Sequence, residues 1–351
     1  MKKLLILPFL FACIFAVQAQ RSYTLTSPNG HLATAITAGE TLTYDIVRDG
    51  KTLMMPSPIS LILSDGRKWG PAAHIQKALR ATVDETVSAP FYRASEIRDR
   101  YNALTLRMRG GWSVEFRVYD DGVAYRFATT SKEPFEIMNE QAEYRFSEER
   151  PVTVPYVRDH AGNIDLQWRN SFENTYTETT LSRLDAGRLI FLPAIVHVAD
   201  GVNICFTETD LNDYPGMYLW NGDGGQHLTA RFAPYPKRVE QGGYNNLQMI
   251  VEEREPFIAR IGKARSFPWR VAIVGTDTQI AASDLSFLLA APSKLADTSW
   301  IKPGKVAWDW WNAWNISGVD FRAGINTETY KYYIDFAASK GIEYVLSLIH
   351  I

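Results

Sequence analysis

Four tryptophans lie within five residues of one carboxylate, Asp309, in the stretch "KVAWDWWNAWNISGVDF" between residues 305 and 321. Aromatic rings stack on the apolar faces of sugar rings, while carboxylates accept hydrogen bonds from sugar hydroxyls. The segment therefore predicts carbohydrate binding, with Asp309 and Trp311 as the substrate-binding candidates. The alternative is that two of the tryptophans belong to a core, because alternate residues of a strand point to opposite faces. The four are Trp308, Trp310, Trp311 and Trp314.

A second segment is rich in side-chain oxygen atoms. It reads "SFENTYTETTLSRL" over residues 171–184, and it holds Glu173, Asn174, Tyr176 and Glu178. Ca²⁺ binds about six to eight oxygen ligands, so a loop that presents these side chains can coordinate it. The competing interpretation is a solvated polar loop without a metal, and the segment by itself leaves both open.

Composition and missing motifs exclude several classes of function. Thirty-seven basic and thirty-nine acidic residues give a formal charge of -2, which lacks the basic excess of a protein that binds nucleic acid or an anionic membrane. The sequence has no GxxxxGK or GxGxxG loop, no HExxH motif and no GxSxG elbow. Phosphate-loop, dinucleotide, zinc-protease and serine-hydrolase chemistry therefore have no support. A nearly neutral, aromatic-rich chain favours a neutral substrate.

The first nineteen residues predict an export signal. Two lysines precede an apolar run from Leu4 to Val17, and a small-residue exit ends at Ala19, which is the order of a secretory signal peptide. A membrane anchor is the alternative, but the run is shorter than the roughly 20 residues that a spanning helix needs. Cleavage after Ala19 predicts a periplasmic or secreted protein without a membrane segment. It leaves Cys205 without a disulfide partner in the chain.

The elements that must position these residues are mostly strands. "LTYDI", "ALTLRM" and "SVEFRVY" alternate apolar and polar residues, the pattern of half-buried antiparallel strands. Asp-Gly or Gly-Gly pairs at residues 49–50, 110–111 and 121–122 fit the positive φ angles of tight hairpin turns. Strand signals continue to about residue 276 and predict a large two-sheet β-sandwich domain over residues 20–288.

A different pattern follows the sandwich. Residues 289–304 contain two prolines and close with a glycine, which indicates a linker. "KVAWDWW" is then a short apolar strand, "NTETYKYYIDFAASKG" has helical periodicity between a cap at Asn326 or Thr327 and a stop at Gly341, and "IEYVLSLI" is a second apolar run. Residues 305–351 thus predict one strand-helix-strand unit, the element of parallel sheets and barrels.

Several of these stretches together resemble glycoside hydrolase family 97. "FENTYTE", "CFTETDLNDYPGMYL", "PWRVAIVG", "WIKPGKVAWDWWN" and "GINTETYKYYIDFAASKGIEYVL" occur in the family's order between about residues 22 and 346. The resemblance implies a large β-super-sandwich followed by a catalytic (β/α)8 TIM barrel and a small carboxyl-terminal β domain. It implies an exported bacterial α-glucosidase or α-galactosidase whose substrates are oligosaccharides or other α-glycosides. It also implies Ca²⁺ in the active site, with Glu173 as a metal ligand supplied by the sandwich.

The chain departs from the family pattern at its carboxyl end. Where the second barrel strand of the family continues into an acidic segment, this chain reads "SLIHI". Glycosidases need two carboxyl groups about 5–9.5 Å apart, and the family places them on later barrel strands. We therefore assign no catalytic residue and expect a truncated relative of a calcium-dependent α-glycosidase with an incomplete barrel. A non-catalytic carbohydrate-binding module and an inactive fragment are the alternatives, and glucoside versus galactoside stays open.

Overall fold

The computed structural model of the chain describes residues 20–89, 92–169, 172–199, 201–243 and 246–347. The predicted signal peptide lies outside these ranges. The chain forms two compact units, which meet in sequence between Ala291 and Pro292. No helix within the described ranges has the length and the apolar character needed to cross a membrane.

The first unit is built almost entirely from β-strands. Its described strands are β1 (Arg21–Thr26), β2 (Leu32–Ala38), β3 (Leu42–Arg48), β4 (Lys51–Leu63), β5 (Lys68–Trp69), β6 (Ile75–Ser88), β7 (Glu96–Met108), β8 (Trp112–Tyr119), β9 (Gly122–Thr129), β10 (Phe135–Arg145), β11 (Pro151–Val154), β12 (Thr177–Thr180), β13 (Ala194–Ala199), β14 (Val202–Thr209), β15 (Met217–Trp220), β16 (His227–Phe232), β17 (Pro236–Gly242), β18 (Gln248–Arg254), β19 (Ala259–Ile261), β20 (Arg265–Ser266) and β21 (Trp269–Gly275). Short helices add α1 (Asp277–Ala282), α2 (Leu285–Leu288) and 3-10 turns at Ile164–Arg169 and Leu181–Arg183.

Two large antiparallel sheets hold most of the strands that the structure describes. The first sheet has the order β1-β2-β3-β4-β10-β16-β15, with β5 beside β4 and β19 beside β10. The second has the order β12-β11-β13-β14-β21-β9-β8-β7-β6, with β20 beside β9, while β17 and β18 form a separate hairpin. The predicted mostly β, two-sheet fold is confirmed. Strand β6 is an outer edge of the second sheet and is exposed along most of its length.

Aromatic side chains from both sheets form the core of the sandwich. Strands β2 and β3 alternate buried and half-buried residues, so each offers one apolar face. From β3, the ring of Tyr44 packs on Phe116 of β8 and Tyr125 of β9, with ring centroids 5.6 Å and 5.2 Å apart. Because β3 belongs to the first sheet and the other two strands to the second, these contacts place the core between the sheets.

Strand β21 is buried on both faces, which explains why "WRVAIVG" shows no alternation of apolar and polar residues. Its Ala272 and Val274 join the sandwich core, while Val271 and Ile273 form a second cluster with Leu285 of α2 on the other face of the sheet. Cys205 lies in the same second cluster. Burial raises the pKa of its thiol to about 11, so the thiol stays protonated at neutral pH.

The turn glycines behave as predicted at two of the three positions. Gly50 has a φ of 77° and Gly111 a φ of 76°, the left-handed region that favours glycine. Gly122 is not in that region, so the prediction is wrong for this residue. A Cβ at Gly122 would overlap Leu285 Cδ1 and lie 2.7 Å from the Ala272 carbonyl oxygen. Glycine is required at this position because α2 and β21 approach the backbone closely.

We expect Gly122→Ala to lower the free energy of unfolding of the first unit by about 1–3 kcal/mol, because the methyl group must displace packed atoms. Gly262→Ala is the matched control, since a Cβ at Gly262 meets no atom within 4 Å and its φ is not positive. Urea denaturation followed by tryptophan fluorescence measures both variants. Equal stabilities would contradict the close approach as the reason for the glycine.

The second unit contains one strand-helix-strand element among its described residues. Strands β22 (Val306–Trp308) and β23 (Tyr344–Leu346) pair in parallel, and α3 (Thr327–Lys340) connects them. The Asn326 side chain accepts a hydrogen bond at the start of α3, and Gly341, with a φ of 63°, ends the helix. The predicted cap, stop and strand-helix-strand order are confirmed. This arrangement is the repeating element of a parallel α/β barrel.

Candidate functional site

Asp309 begins a short 3-10 turn (Asp309–Asn312) directly after β22 and is fully buried. Its Oδ2 atom accepts a hydrogen bond from the Tyr330 hydroxyl at 2.6 Å and another from Trp314 Nε1 at 3.1 Å. Tyr330 lies on α3, so the carboxylate links the end of the strand to the helix. Substrate binding by Asp309 stays a prediction.

The second oxygen of this carboxylate has a different environment. Asp309 Oδ1 is buried and has no hydrogen-bond donor in the part of the chain that the structure describes. Burial raises the pKa of Tyr330, and the hydrogen bond to Asp309 raises it further, so the tyrosine stays a donor at neutral pH. The carboxylate is therefore held through one oxygen and leaves the other for a further donor.

The tryptophans near Asp309 divide into two kinds. Trp310 is 51% exposed and Trp311 is 84% exposed, whereas Trp308 and Trp314 are half-buried. The rings of Trp310 and Trp314 meet edge to face, with centroids 4.9 Å apart. Trp311 is thus accessible to a ligand, and its stacking on a sugar stays a prediction.

Glu173 lies in an exposed segment before β12, and its carboxylate has no hydrogen bond or ion pair within the described residues. The neighbouring Phe172 fixes this segment by packing its ring on Tyr176 and Phe191, at centroid distances of 5.1 Å and 6.0 Å. A free carboxylate suits a hard cation. The described ranges, however, bring together no group of three or more His, Cys, Asp or Glu side chains that could hold a metal. Glu173 can supply one Ca²⁺ ligand, and these residues alone do not form a complete site.

A buried ionic cluster, which no sequence motif indicated, lies elsewhere in the first unit. Arg270 of β21, 1% exposed, donates to both oxygens of Glu140 at 2.8 Å and 2.7 Å and also to Glu208. The Tyr214 hydroxyl donates to Glu140 at 2.9 Å. Burial opposes the charge of Arg270, but the two glutamates hold its pKa well above the usual value. An arginine inside an otherwise apolar strand is the sequence signal that acidic partners must be buried beside it.

Residues 213–216 and Tyr218, which follow Glu208 in the chain, line part of a cavity of about 530 Å³, which we call the aromatic cavity. Tyr214 joins the cavity wall to the ionic cluster. The ring of Trp168 meets Tyr218 edge to face at 5.3 Å, and Tyr218 also packs on Phe191 at 5.1 Å. Side chains with chemical functions on its wall are Trp168, Asp213, Tyr214, Tyr218, Tyr235 and Arg254.

Comparison with known families decides the relationship. The family model described as glycosyl-hydrolase 97 N-terminal matches residues 25–292, and the model described as glycoside hydrolase 97 matches residues 310–348. The chain belongs to glycoside hydrolase family 97. The first match covers nearly all of the sandwich, the second covers α3 and β23, and the resemblance drawn from the sequence motifs is confirmed.

Curated relatives of this family 97 chain carry names that describe an activity. The chain is 52% identical over 348 residues to a retaining alpha-galactosidase of Bacteroides thetaiotaomicron, an alignment that covers 99% of this chain and 53% of the relative. It is 25% identical over 327 residues to a probable retaining alpha-galactosidase of Streptomyces bingchenggensis, covering 92% of this chain and 44% of the relative. The family 97 chain thus spans about half the length of the curated relatives that it matches.

Solved structures of family 97 share the fold of this chain. A family 97 enzyme from Pseudoalteromonas sp. strain K8, in complex with acarbose, superposes with a TM-score of 0.73 and 24% sequence identity, covering 92% of this chain and 46% of that one. A beta-arabinopyranosidase superposes with the same TM-score and 21% identity, covering 92% and 50%. At these identities the likeness establishes the architecture of the family 97 chain and not its substrate.

Proposed function

We propose that this protein is a calcium-dependent glycoside hydrolase that acts on α-linked galactosides in preference to α-glucosides. The observation that carries the proposal is the 52% identity with a retaining alpha-galactosidase over nearly the entire chain. The substrate is a neutral oligosaccharide or α-glycoside, in keeping with the near-zero net charge. Neither carboxyl group of the pair that glycosidases need is assigned to this chain.

Three residues have proposed functions, two in the second unit and one in the first. Trp311 stacks its exposed ring on a substrate sugar, and Asp309 orients the end of β22 through Tyr330 and Trp314 while its free oxygen accepts a hydrogen bond. Glu173 supplies one carboxylate ligand to Ca²⁺. A bound Ca²⁺ supplies positive charge that polarises substrate oxygens.

A hybrid enzyme tests the proposal. The 351 residues of this chain replace the matching portion of the Bacteroides thetaiotaomicron relative, and the purified hybrid is incubated with p-nitrophenyl α-galactoside and p-nitrophenyl α-glucoside across a Ca²⁺ titration. We expect faster hydrolysis of the galactoside and a requirement for Ca²⁺. In the hybrid, Glu173→Ala should raise the Ca²⁺ concentration for half-maximal activity by about 10-fold or more, because a direct ligand is lost.

Glu252→Ala is the matched control for the metal ligand, since Glu252 is an exposed glutamate of β18, outside the oxygen-rich segment. Its Ca²⁺ titration should equal that of the unmodified hybrid. A folded hybrid that hydrolyses neither substrate would refute the proposed activity. An unchanged Ca²⁺ titration in Glu173→Ala would refute the ligand assignment alone.

Export belongs to the same proposal. The mature protein begins at Gln20, after removal of the nineteen-residue signal peptide, and acts in the periplasm or outside the cell. Amino-terminal sequencing of the protein from a bacterial host that secretes it should therefore start at Gln20. A mature protein that retains Met1 would contradict export by this signal.

A further inference from the structure

The aromatic cavity of the first unit has the composition of a saccharide-binding pocket. Trp168, Tyr218 and Tyr235 supply aromatic surface, while Asp213 and Arg254 supply an acceptor and a set of donors. Its volume of about 530 Å³ lies within the range of about 300–1,000 Å³ that small-molecule sites occupy. Sugars present apolar C–H faces and hydroxyl edges, which this combination of rings and polar groups matches.

One wall of the cavity is anchored in the buried ionic cluster. The Tyr214 hydroxyl donates to Glu140 at 2.9 Å, and its ring packs on Phe267 at 5.7 Å. Three residues after Tyr214, the Met217 backbone N–H donates a hydrogen bond to the Glu208 carboxylate at 2.8 Å. These contacts fix residues 214–217 at both ends, so this part of the cavity wall is formed before any ligand binds.

The lining residues around Tyr235 are also held in place. Tyr235 exchanges backbone hydrogen bonds with its surroundings: its N–H donates to the Phe257 carbonyl at 2.7 Å, and its carbonyl accepts from the Glu255 N–H at 2.8 Å. The rings of Tyr235 and Phe257 lie 5.4 Å apart. Arg254 donates to the Pro234 carbonyl at 2.8 Å, which limits the positions of its guanidinium. Rigid walls lower the ordering cost of binding a small ligand.

The charges on the cavity favour a neutral ligand. Asp213 and Arg254 have opposite signs and both line the space. Burial raises the pKa of Tyr218, so its hydroxyl is a neutral donor and acceptor at physiological pH. The cavity therefore offers hydrogen bonds of both kinds without a net charge from its own side chains.

We propose that the aromatic cavity binds one hexopyranose ring of a neutral saccharide, with Trp168 and Tyr235 against its apolar faces and Asp213 and Arg254 bonded to its hydroxyls. The choice of an α-galactoside as the saccharide rests on the proposed function. Ring contacts from Tyr218 through Phe191 to Phe172 join the cavity to the segment of Glu173. The cavity is thus a saccharide site of the first unit and is additional to the one proposed for Asp309 and Trp311 of the second unit.

Binding to the 351-residue chain tests the site directly. Calorimetry and saturation-transfer NMR are performed with methyl α-D-galactopyranoside and with the disaccharide melibiose, and we expect a Kd on the order of 1 mM for so small a ligand. Trp168→Ala and Tyr235→Ala should each weaken binding by about 10-fold, because stacking on the sugar depends on the ring. Asp213→Asn should weaken it about 3-fold without a change in Tm, since this side chain is 79% exposed.

Trp300→Ala is the matched control, because Trp300 is 68% exposed and does not line the cavity. Circular dichroism verifies that each variant is folded. Binding that survives all three cavity substitutions, or that is lost equally in the control, overturns the site. If the wild-type chain binds neither sugar, the proposed site is wrong even if the hybrid hydrolyses α-galactosides. If binding depends on the cavity residues but the hybrid is inactive, the site is supported and the hydrolase activity is refuted.

Discussion

Arg270→Met is expected to lower the free energy of unfolding of the first unit by about 3–5 kcal/mol, the usual cost of removing one partner of a buried ionic cluster. Methionine fills similar space, but Glu140 and Glu208 then share a buried site without a countercharge. Both carboxylates bond to the guanidinium in the native fold. Chemical denaturation of the 351-residue chain measures the loss.

The destabilisation should also depend on pH. Burial raises the pKa of Glu208, and Arg270 opposes that rise in the native protein, so removing the guanidinium raises the pKa further. A carboxyl whose pKa is higher in the folded than in the unfolded state binds more protons when folded, and its stabilising contribution is lost as the pH rises through the folded value. The loss in free energy of unfolding caused by Arg270→Met should therefore be larger at pH 8 than at pH 5.

Arg260→Met is the matched control for this substitution. Arg260 pairs with Glu136 at 3.4 Å, but its side chain is 53% exposed, and exposed ion pairs contribute only about 0–1 kcal/mol. A difference of less than about 1 kcal/mol between the two variants would show that the buried cluster is not a determinant of stability.

Asp309→Ala is expected to speed backbone hydrogen exchange in α3 by about 100-fold. The substitution leaves the Tyr330 hydroxyl and Trp314 Nε1 without the acceptor they share. Each hydrogen bond to a charged group contributes about 1.5–3 kcal/mol, and about 1.4 kcal/mol corresponds to a factor of ten in an opening equilibrium. Mass spectrometry of peptides from residues 327–340 gives the rates.

Asp320→Ala serves as the control in the second unit, because it removes an exposed carboxylate. Exchange in α3 should be the same as in the unmodified chain. Asp309→Asn retains one acceptor oxygen, so its exchange rate in α3 should fall between those of Asp309→Ala and Asp320→Ala. If Asp309→Ala leaves the exchange rates unchanged, Asp309 does not hold the strand end to the helix, and its buried position has another cause.

Local sequence patterns are sufficient to predict most of the secondary structure. The alternation in residues 42–46 and 113–119 identifies β3 and β8, because a strand with one buried face repeats every two residues. Helical spacing with Asn326 at the start and Gly341 at the end identifies α3 with both caps. These signals involve neighbouring residues only, so they do not depend on how the strands are arranged in space.

Features that depend on distant residues cannot be predicted in this way. The local sequence around Glu208 favours a surface position, yet its side chain is only 9% exposed and accepts a hydrogen bond from Arg270, 62 residues further along the chain. The Asp-Gly dipeptide at Gly122 predicts a turn glycine, whereas the structure shows that Leu285, on a helix far along the chain, excludes a side chain there. In both cases the contacting residue can be identified only from the three-dimensional fold, in which Arg270 of β21 lies beside β14 and Leu285 of α2 lies beside β9.

The exposed edge strand β6 has a consequence for the behaviour of the protein at high concentration. Among the described strands it pairs with β7 alone, and its other side is a potential template for pairing with a strand of another molecule. Four charged side chains, two basic and two acidic, interrupt this edge: Lys77, Arg80, Asp84 and Glu85. Charged residues on an edge disfavour intermolecular strand pairing, so replacing all four with threonine should promote aggregation while leaving the fold intact.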